Sequence, residues 1–247
     1  MTSAFGPAAD QPSNVYPGDS ADLAALFNGP QSDDGFVGFG VAEFAWLLAA
    51  WSDYGDTIVH RAGLNLDEAS GALLFSALAA LAARDMLDID PDLGDLELNE
   101  EEIPEPAGPA LAVAHAAMDA RCIVRVAAIE GDQAAEDHCF LLASGYTIWV
   151  IALPTGARMV TAFEDGARPV AAVIVPAVKR MLDGAEDTRT IALDISDPSV
   201  DVITRSFLRG RNGVLRILRD GEQQASELAD AELHDYIVST IKQARRV

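Results

Sequence analysis

The stretch "HCFLLASGYTIWVIALPTGARMVTAFE", residues 138–164, decides the fold. It holds three apolar runs, His138–Ala143, Tyr146–Ala152 and Met159–Phe163, rich in β-branched and aromatic residues. Ser144-Gly145 separates the first two, and Pro154-Thr155-Gly156 the second and third. Such residues suit a pleated, half-buried surface, and the Gly and Pro punctuation marks chain reversals. The pattern predicts an antiparallel meander. Upstream, Arg121–Ala128 adds a strand before Gly131-Asp132. Downstream, Asp165-Gly166 ends the sheet run, and Pro169 opens a helix through Val170, Ile174, Val178 and Leu182. Proline suits a first helical turn, whereas Pro176 inside the pattern predicts a kink or a short first turn.

The end of the chain follows a similar plan. A strand is expected at Thr190–Asp194, then a helix from Asp197-Pro198 to about Leu208. Gly213–Arg219 reads as a strand, Asp220-Gly221 as a tight turn and Gln223–Leu228 as a second strand. A final helix from about Asp230 to Arg245 places Leu233, Ile237, Ile241 and Ala244 on one face. Tyr146–Leu182 and Gly213–Val247 therefore share strand, glycine turn, strand and helix, and each helix ends in basic residues. This predicts an α+β fold with an antiparallel sheet, packed helices and two pseudo-repeated β-β-α units preceded by a helical region. Neither unit can close a core alone, so the two sheet halves should pair.

The first part of the chain reads differently. Residues 1–35, with Pro7, Pro12, Pro17 and Pro30, read as a flexible acidic arm holding one apolar patch, Leu23–Phe27. Residues 36–105 read as a helical region and acidic linker, and residues 106–247 as the α+β body. Phe36–Tyr54 is predicted helical because Val41, Phe44, Ala45, Leu48 and Trp51 recur at three- and four-residue steps. Asp67–Leu87 is a second helix, with Asn65 as cap and Leu74, Leu78, Leu81 and Ala82 facing inward. Asp85–Glu105 holds ten acidic residues, no basic one, and several Pro and Gly breakers, so it reads as a linker. Gly108–Asp119 reads as a short Ala-rich helix.

Charge follows the same division. The chain has 247 residues and a formal charge of −22. Residues 1–120 carry 21 acidic and 2 basic side chains, and residues 121–247 carry 18 and 15. A field of that sign repels nucleic acid and anionic lipid. Half of the residues are hydrophobic, which excludes a wholly disordered acidic chain. Met1–Gly35 has neither a basic n-region nor an apolar core, so no signal peptide is expected. No apolar run reaches the ~20 residues of a membrane span, which gives the expectation of a cytoplasmic protein with no membrane association.

Motifs with chemical meaning are sparse. Cys122 and Cys139 sit in apolar strand-like runs and read as reduced, buried thiols. Asp88-x-Asp90-x-Asp92 begins like a calcium loop, but Leu93 and Asn99 stand where Gly and Glu are needed. The plainer reading is a solvated acidic linker. Glu100–Glu102 and Glu105 read the same way, with acidic docking as the functional option. The four histidines have no catalytic company: His138 and Cys139 are neighbours on a strand and point to opposite faces. Gly35–Gly40 is Gly-rich without the lysine of a phosphate loop. The Asp67–Leu87 helix carries only Arg84 as a base, too little for a recognition helix. These residues provide no catalytic set, no metal site and no cofactor site.

Arg205, Arg209, Arg211, Arg216 and Arg219 form the one basic cluster. As a functional site it would bind an anion or an acidic partner. As a structural feature it would offset the acidic first half.

"LDEASGALLFSALAALAARDMLDIDPDL" (Leu66–Leu93), "DARCIVRVAAIEGD" (Asp119–Asp132) and "RPVAAVIVPAVKRMLDG" (Arg168–Gly184) together resemble the EspG proteins of type VII secretion systems. The resemblance spans roughly residues 65–247. It implies a cytoplasmic secretion chaperone of two quasi-symmetric α+β halves that binds a protein client. The expected function is accordingly non-enzymatic protein binding through an exposed sheet or helix face. A small-anion-binding or enzymatic domain built on Arg205–Arg219 is the alternative.

Overall fold

The computed structural model describes residues 20–28, 35–64, 72–88, 104–130, 133–183, 190–196, 202–209 and 213–244. The meander is present and longer than its sequence signal. Strands β4 (Cys122–Glu130), β5 (Gln133–Leu142), β6 (Tyr146–Ala152) and β7 (Arg158–Glu164) lead into α6 (Ala167–Asp183). Strands β8 (Thr190–Ser196), β9 (Ile203–Arg209), β10 (Leu215–Arg219) and β11 (Ser226–Leu228) lead into α7 (Leu233–Ala244). Ahead of these lie α1 (Ser20–Ala25), a 3-10 turn (Leu26–Asn28), β1 (Val37–Phe39), α2 (Val41–Ala50), α3 (Gly55–Arg61) and α4 (Ala72–Ala82). A two-residue ladder of β2 (Leu87–Asp88) and β3 (Glu105–Pro106) then precedes α5 (Gly108–Met118).

The main sheet has nine strands in the order β1-β7-β6-β5-β4-β8-β9-β10-β11, and all its pairings are antiparallel. The two halves meet at β4 and β8, where Val126 stands opposite Leu193. The expected repeat is real, and each unit is larger than expected: four strands and a helix. Registers show the equivalence. Val124 pairs with Phe140 as Ile191 pairs with Phe207, and Phe140 pairs with Trp149 as Phe207 pairs with Ile217. Val170, Ile174 and Ala177 of α6 correspond to Ile237, Ile241 and Ala244 of α7, all buried.

Two cores form on the two faces of this sheet, because strand side chains alternate. α6 and α7 pack on each other and cover one face, burying Val124, Val126, Phe140, Ile191, Leu193 and Phe207. The other face buries Ile123, Cys139, Leu141, Ile148, Val150 and Val160 beneath the N-terminal helices. Cys122 and Cys139 are free, buried and on opposite faces, which separates them from any cross-strand disulfide.

Two helix expectations are corrected. Of the helix placed from Asp197 to Leu208, residues 197–201 lie outside the described residues, and Ile203–Leu208 belong instead to strand β9. β-Branched Val202, Ile203 and Thr204 resist helical rotamers, and β8 and β10 on either side supply ladder partners. The helix placed at Phe36–Tyr54 is divided. Val37 and Phe39 point inward and Gly38 outward, a period of two, and β1 pairs with β7 before α2 begins. Arg84 secures this entry: it donates to the Gly38 carbonyl at 2.7 Å and pairs with Glu43 at 2.6 Å, while Glu43 accepts the Gly40 N–H.

Of the expected arm, Leu23 and Phe27 are buried in the N-terminal core. The second helix begins at Ala72 in the described residues, and the expected cap Asn65 lies outside them. So do most of the acidic linker and the Asp90–Asp92 part of the calcium-like motif.

Candidate functional site

The sheet face opposite α6 and α7 is unequally covered. On its first half, α5 contacts β5 and β6, α3 contacts β4, and α1 contacts β6 and β7. On its second half, Ala192, Thr204, Ser206, Leu208 and Leu218 stay partly exposed and Arg216 is exposed. Two rows cross the seam. Cys139, Arg125, Asp194 and Thr204 are consecutive register partners across β5, β4, β8 and β9. Asp137, Ala127, Ala192 and Ser206 form the next row, continued by Leu218 on β10.

At this seam a pocket of about 280 Å³ opens between the end of α3 and the sheet. Ile123, Arg125, Asp194 and Thr204 form its floor, and His60 and Arg61 its helical wall. Arg125 is held by the Asp137 carboxylate through Nε at 3.0 and 3.2 Å and Nη2 at 2.8 Å. That hydrogen bonding, working against burial, raises the guanidinium above its ordinary value, with the charges of Asp137, Cys139 and Asp194 adding to it. Thr204 Oγ1 donates to Asp194 Oδ1 at 2.8 Å. Gly63, at φ +74°, brings its backbone onto the Arg125 guanidinium; a Cβ there would stand 2.6 Å from Cζ and Nη2. The α3 end and the sheet thus approach as closely as a glycine permits.

A second polar chain lies on the helix-covered face. Trp149 Nε1 donates to His138 Nδ1 at 3.2 Å, and His138 Nε2 meets Glu136 Oε1 at 2.9 Å. Tryptophan can only donate, so the His138 proton belongs on Nε2. Arg180 of α6 also binds Glu136. Burial pushes the Glu136 carboxyl up, but hydrogen bonds from His138 and Arg180 outweigh it and hold it below its ordinary value. His138 is only 4% exposed and stacks on Trp149. This chain fastens β5, β6 and α6 together.

The arginine cluster does not converge on one point. Register places Arg205, Arg209 and Arg219 on the α7 side and Arg216 on the opposite face. Arg205 donates to the Tyr236 hydroxyl at 3.1 Å, Arg209 pairs with Asp230 at 3.3 Å and Arg219 with Glu222 at 3.3 Å. Arg216 is 3.9 Å from Glu227. Arg211 lies outside the described residues. The described members are engaged with neighbours in their own half.

The seam residues Arg61, Arg125 and Asp194 were not singled out by sequence patterns. A signal existed for the last two. Arg125 interrupts Cys122–Ile129 and Asp194 interrupts Thr190–Ile195, and a charge inside an apolar strand run requires a partner. Arg61 and His60 reach the pocket only through the packing of α3.

Among the described residues, no group of three or more His, Cys, Asp or Glu side chains is placed to hold a metal ion. No described helix is long and apolar enough to cross a membrane. No protein-family model and no curated protein matches the chain.

Proposed function

We propose that this chain is a non-enzymatic, cytoplasmic, chaperone-like protein that holds an Ala-rich amphipathic helix of a client protein on the uncovered half of its sheet. The supporting observation is the unequal cover of a pseudo-symmetric sheet. α5 lies on β5 and β6, and six of its small or apolar residues, Ala110, Ala112, Val113, Ala114, Ala116 and Ala117, are buried. Strands β9 and β10 are the equivalents of β5 and β6, and apart from the end of α3 beside Thr204 no described helix lies on the same face there. The client helix takes the position that a symmetry mate of α5 would occupy. Ala192, Thr204 and Ser206 are small enough for a close helix approach, and Leu208 and Leu218 supply apolar contact. The EspG-like pattern of the sequence supports the same class, and a type VII secretion client is its specific form.

The test uses the full chain carrying a photo-crosslinking residue at Leu218, in cells that encode it. A stoichiometric partner cross-linked at Leu218, and lost in a folded Leu208→Asp variant, is expected. A partner retained by that variant, or cross-linked equally well from exposed Gln243 on α7, overturns the proposed surface. Retention of the partner's export in a deletion strain overturns the secretion role. The alternative of an anion site at Arg205–Arg219 is less favoured, because the described arginines have their own partners.

A further inference from the structure

We infer that the seam pocket is a binding site for a small zwitterion, a free α-amino acid with a short side chain. The charges around it are the reason. Residues 1–120 contain only two basic side chains, Arg61 and Arg84. Arg84 is committed to Glu43 and Gly38. Arg61, in the same strongly acidic region, forms no ion pair with a described residue and lines the pocket beside His60. On the floor, Asp194 accepts from Thr204 at Oδ1, and Oδ2 has no hydrogen-bond partner among the described residues, although the Arg125 charge acts on the carboxylate. Arg61 and Asp194 thus line one small cavity with opposite charges and no ion pair between them. A ligand that carries a carboxylate and an ammonium a few ångströms apart satisfies both.

The remaining lining agrees with that ligand. Arg125 is anchored by Asp137 through Nε and Nη2, which leaves Nη1 as a further donor for a carboxylate. Gly63 and Asp137 fix the guanidinium before any ligand arrives, so little ordering remains to be done on binding. Ile123 and Val202 contribute apolar lining, and Ser196 and Thr204 hydroxyl groups. The pocket's 280 Å³ is just below the ~300–1,000 Å³ that hold drug-sized ligands, which is room enough for a short amino acid. The pocket shares Thr204 with the proposed client surface, but client binding over Leu208 and Leu218 does not require the pocket to be filled, and the two tests have separate readouts.

The test is titration of the full-length protein with L-alanine, L-valine and L-threonine, followed by amide chemical shifts and calorimetry. Acetate, ethylamine and N-acetyl-L-valine serve as single-charge controls. Saturable shifts at residues 60–63, 123–125, 194–196 and 202–204 are expected for at least one amino acid. N-acetyl-L-valine, which keeps the carboxylate and loses the ammonium, should bind at least tenfold more weakly than L-valine. Arg61→Gln and Asp194→Asn should each weaken binding at least tenfold, and Asp194→Asn keeps an acceptor for Thr204. Lys242→Gln, exposed on α7 and outside the pocket, should leave it unchanged. Absence of saturable shifts, equal binding of acetate and amino acid, or retained affinity in either pocket variant would overturn the inference.

Discussion

Replacing Gly63 with alanine tests whether the end of α3 is clamped to the sheet through Arg125. Two costs combine. Gly63 has φ +74°, and a residue with a β-carbon pays roughly 1–2 kcal/mol to adopt that left-handed conformation. The new Cβ would also stand 2.6 Å from Arg125 Cζ and Nη2. A free arginine tip would swing away, but this one is fixed by three hydrogen bonds to Asp137, whose side chain is 12% exposed. Breaking a buried pair outright costs about 3–5 kcal/mol. The Arg125 side chain keeps 26% exposure, so water recovers part of that, and about 1–2 kcal/mol is expected here. Gly63→Ala should therefore destabilise the fold by about 2–4 kcal/mol.

Urea unfolding followed by tryptophan fluorescence measures the total, and a double-mutant cycle separates its parts. In an Arg125→Ala/Asp137→Asn background the steric part vanishes, and the Gly63→Ala penalty should fall to the backbone part of about 1–2 kcal/mol. A penalty under about 0.5 kcal/mol in the native background, or the same penalty in both, refutes the clamp.

Other outcomes follow from the repeat and from the titrating groups. Phe140 and Phe207 are equivalent and about equally buried, so alanine at either position should cost about 3–5 kcal/mol; denaturation midpoints that place the two more than about 2 kcal/mol apart contradict the equivalence. Glu136 is held below its ordinary value by His138 and Arg180 against burial, so its contribution is present above the unfolded value near ~4.3 and lost as pH falls through the folded value. Glu136→Gln should accordingly flatten the acid limb of a stability–pH curve, and an unchanged limb argues against the pairing. Burial, assisted by Asp137, pushes the Cys139 thiol up to about 12, so it should stay unreactive to a disulfide reagent at pH 8 until the protein unfolds. Its stabilising contribution is present below the unfolded value of ~8.5 and lost as pH rises through the folded value, and Cys139→Ala should remove that alkaline slope.

Local signals were strong enough to show the sheet and the repeat. Tyr146–Ala152 coincides with β6, and the glycine turns at Gly145 and Gly156 fall between strands as expected. What failed were segments whose partners lie far off in sequence. Phe36–Phe39 joins its apolar helix neighbours in one run, and only β7 makes it a strand. β9 follows an Asp-Pro start that imitates a helix cap, and its identity comes from β8 and β10. The seam was invisible for a related reason. Arg61 is near Asp194 because α3 packs on β4, a contact that no local period encodes. Arg125 and Asp194 were legible as charges inside strands, but that reading requires asking what neutralises each one.

The duplicated plan supports the proposal that the sheet half left uncovered by the described helices is a binding surface rather than a missing piece of core. On the α6–α7 face the two halves agree in chemistry: Val124 and Ile191, Phe140 and Phe207, Ile174 and Ile241 are equivalent, apolar and buried. On the other face they diverge. Cys139, Leu141, Ile148 and Val150, buried under the N-terminal helices, correspond by register to Ser206, Leu208, Arg216 and Leu218. Two of the four positions become polar, and the other two stay apolar, both as leucine. A permanently buried face would keep all four apolar, and one that never leaves water has no need of both leucines. A mixed face is what an interface requires if its protein is to be stable empty and still gain from covering apolar area. A client helix bound as proposed should therefore place its apolar side over Leu208 and Leu218 and an acidic residue near Arg216. Reversal of that charge in the variant Arg216→Glu should weaken client binding while leaving the fold intact, since Arg216 is exposed and its 3.9 Å contact with Glu227 contributes little to stability.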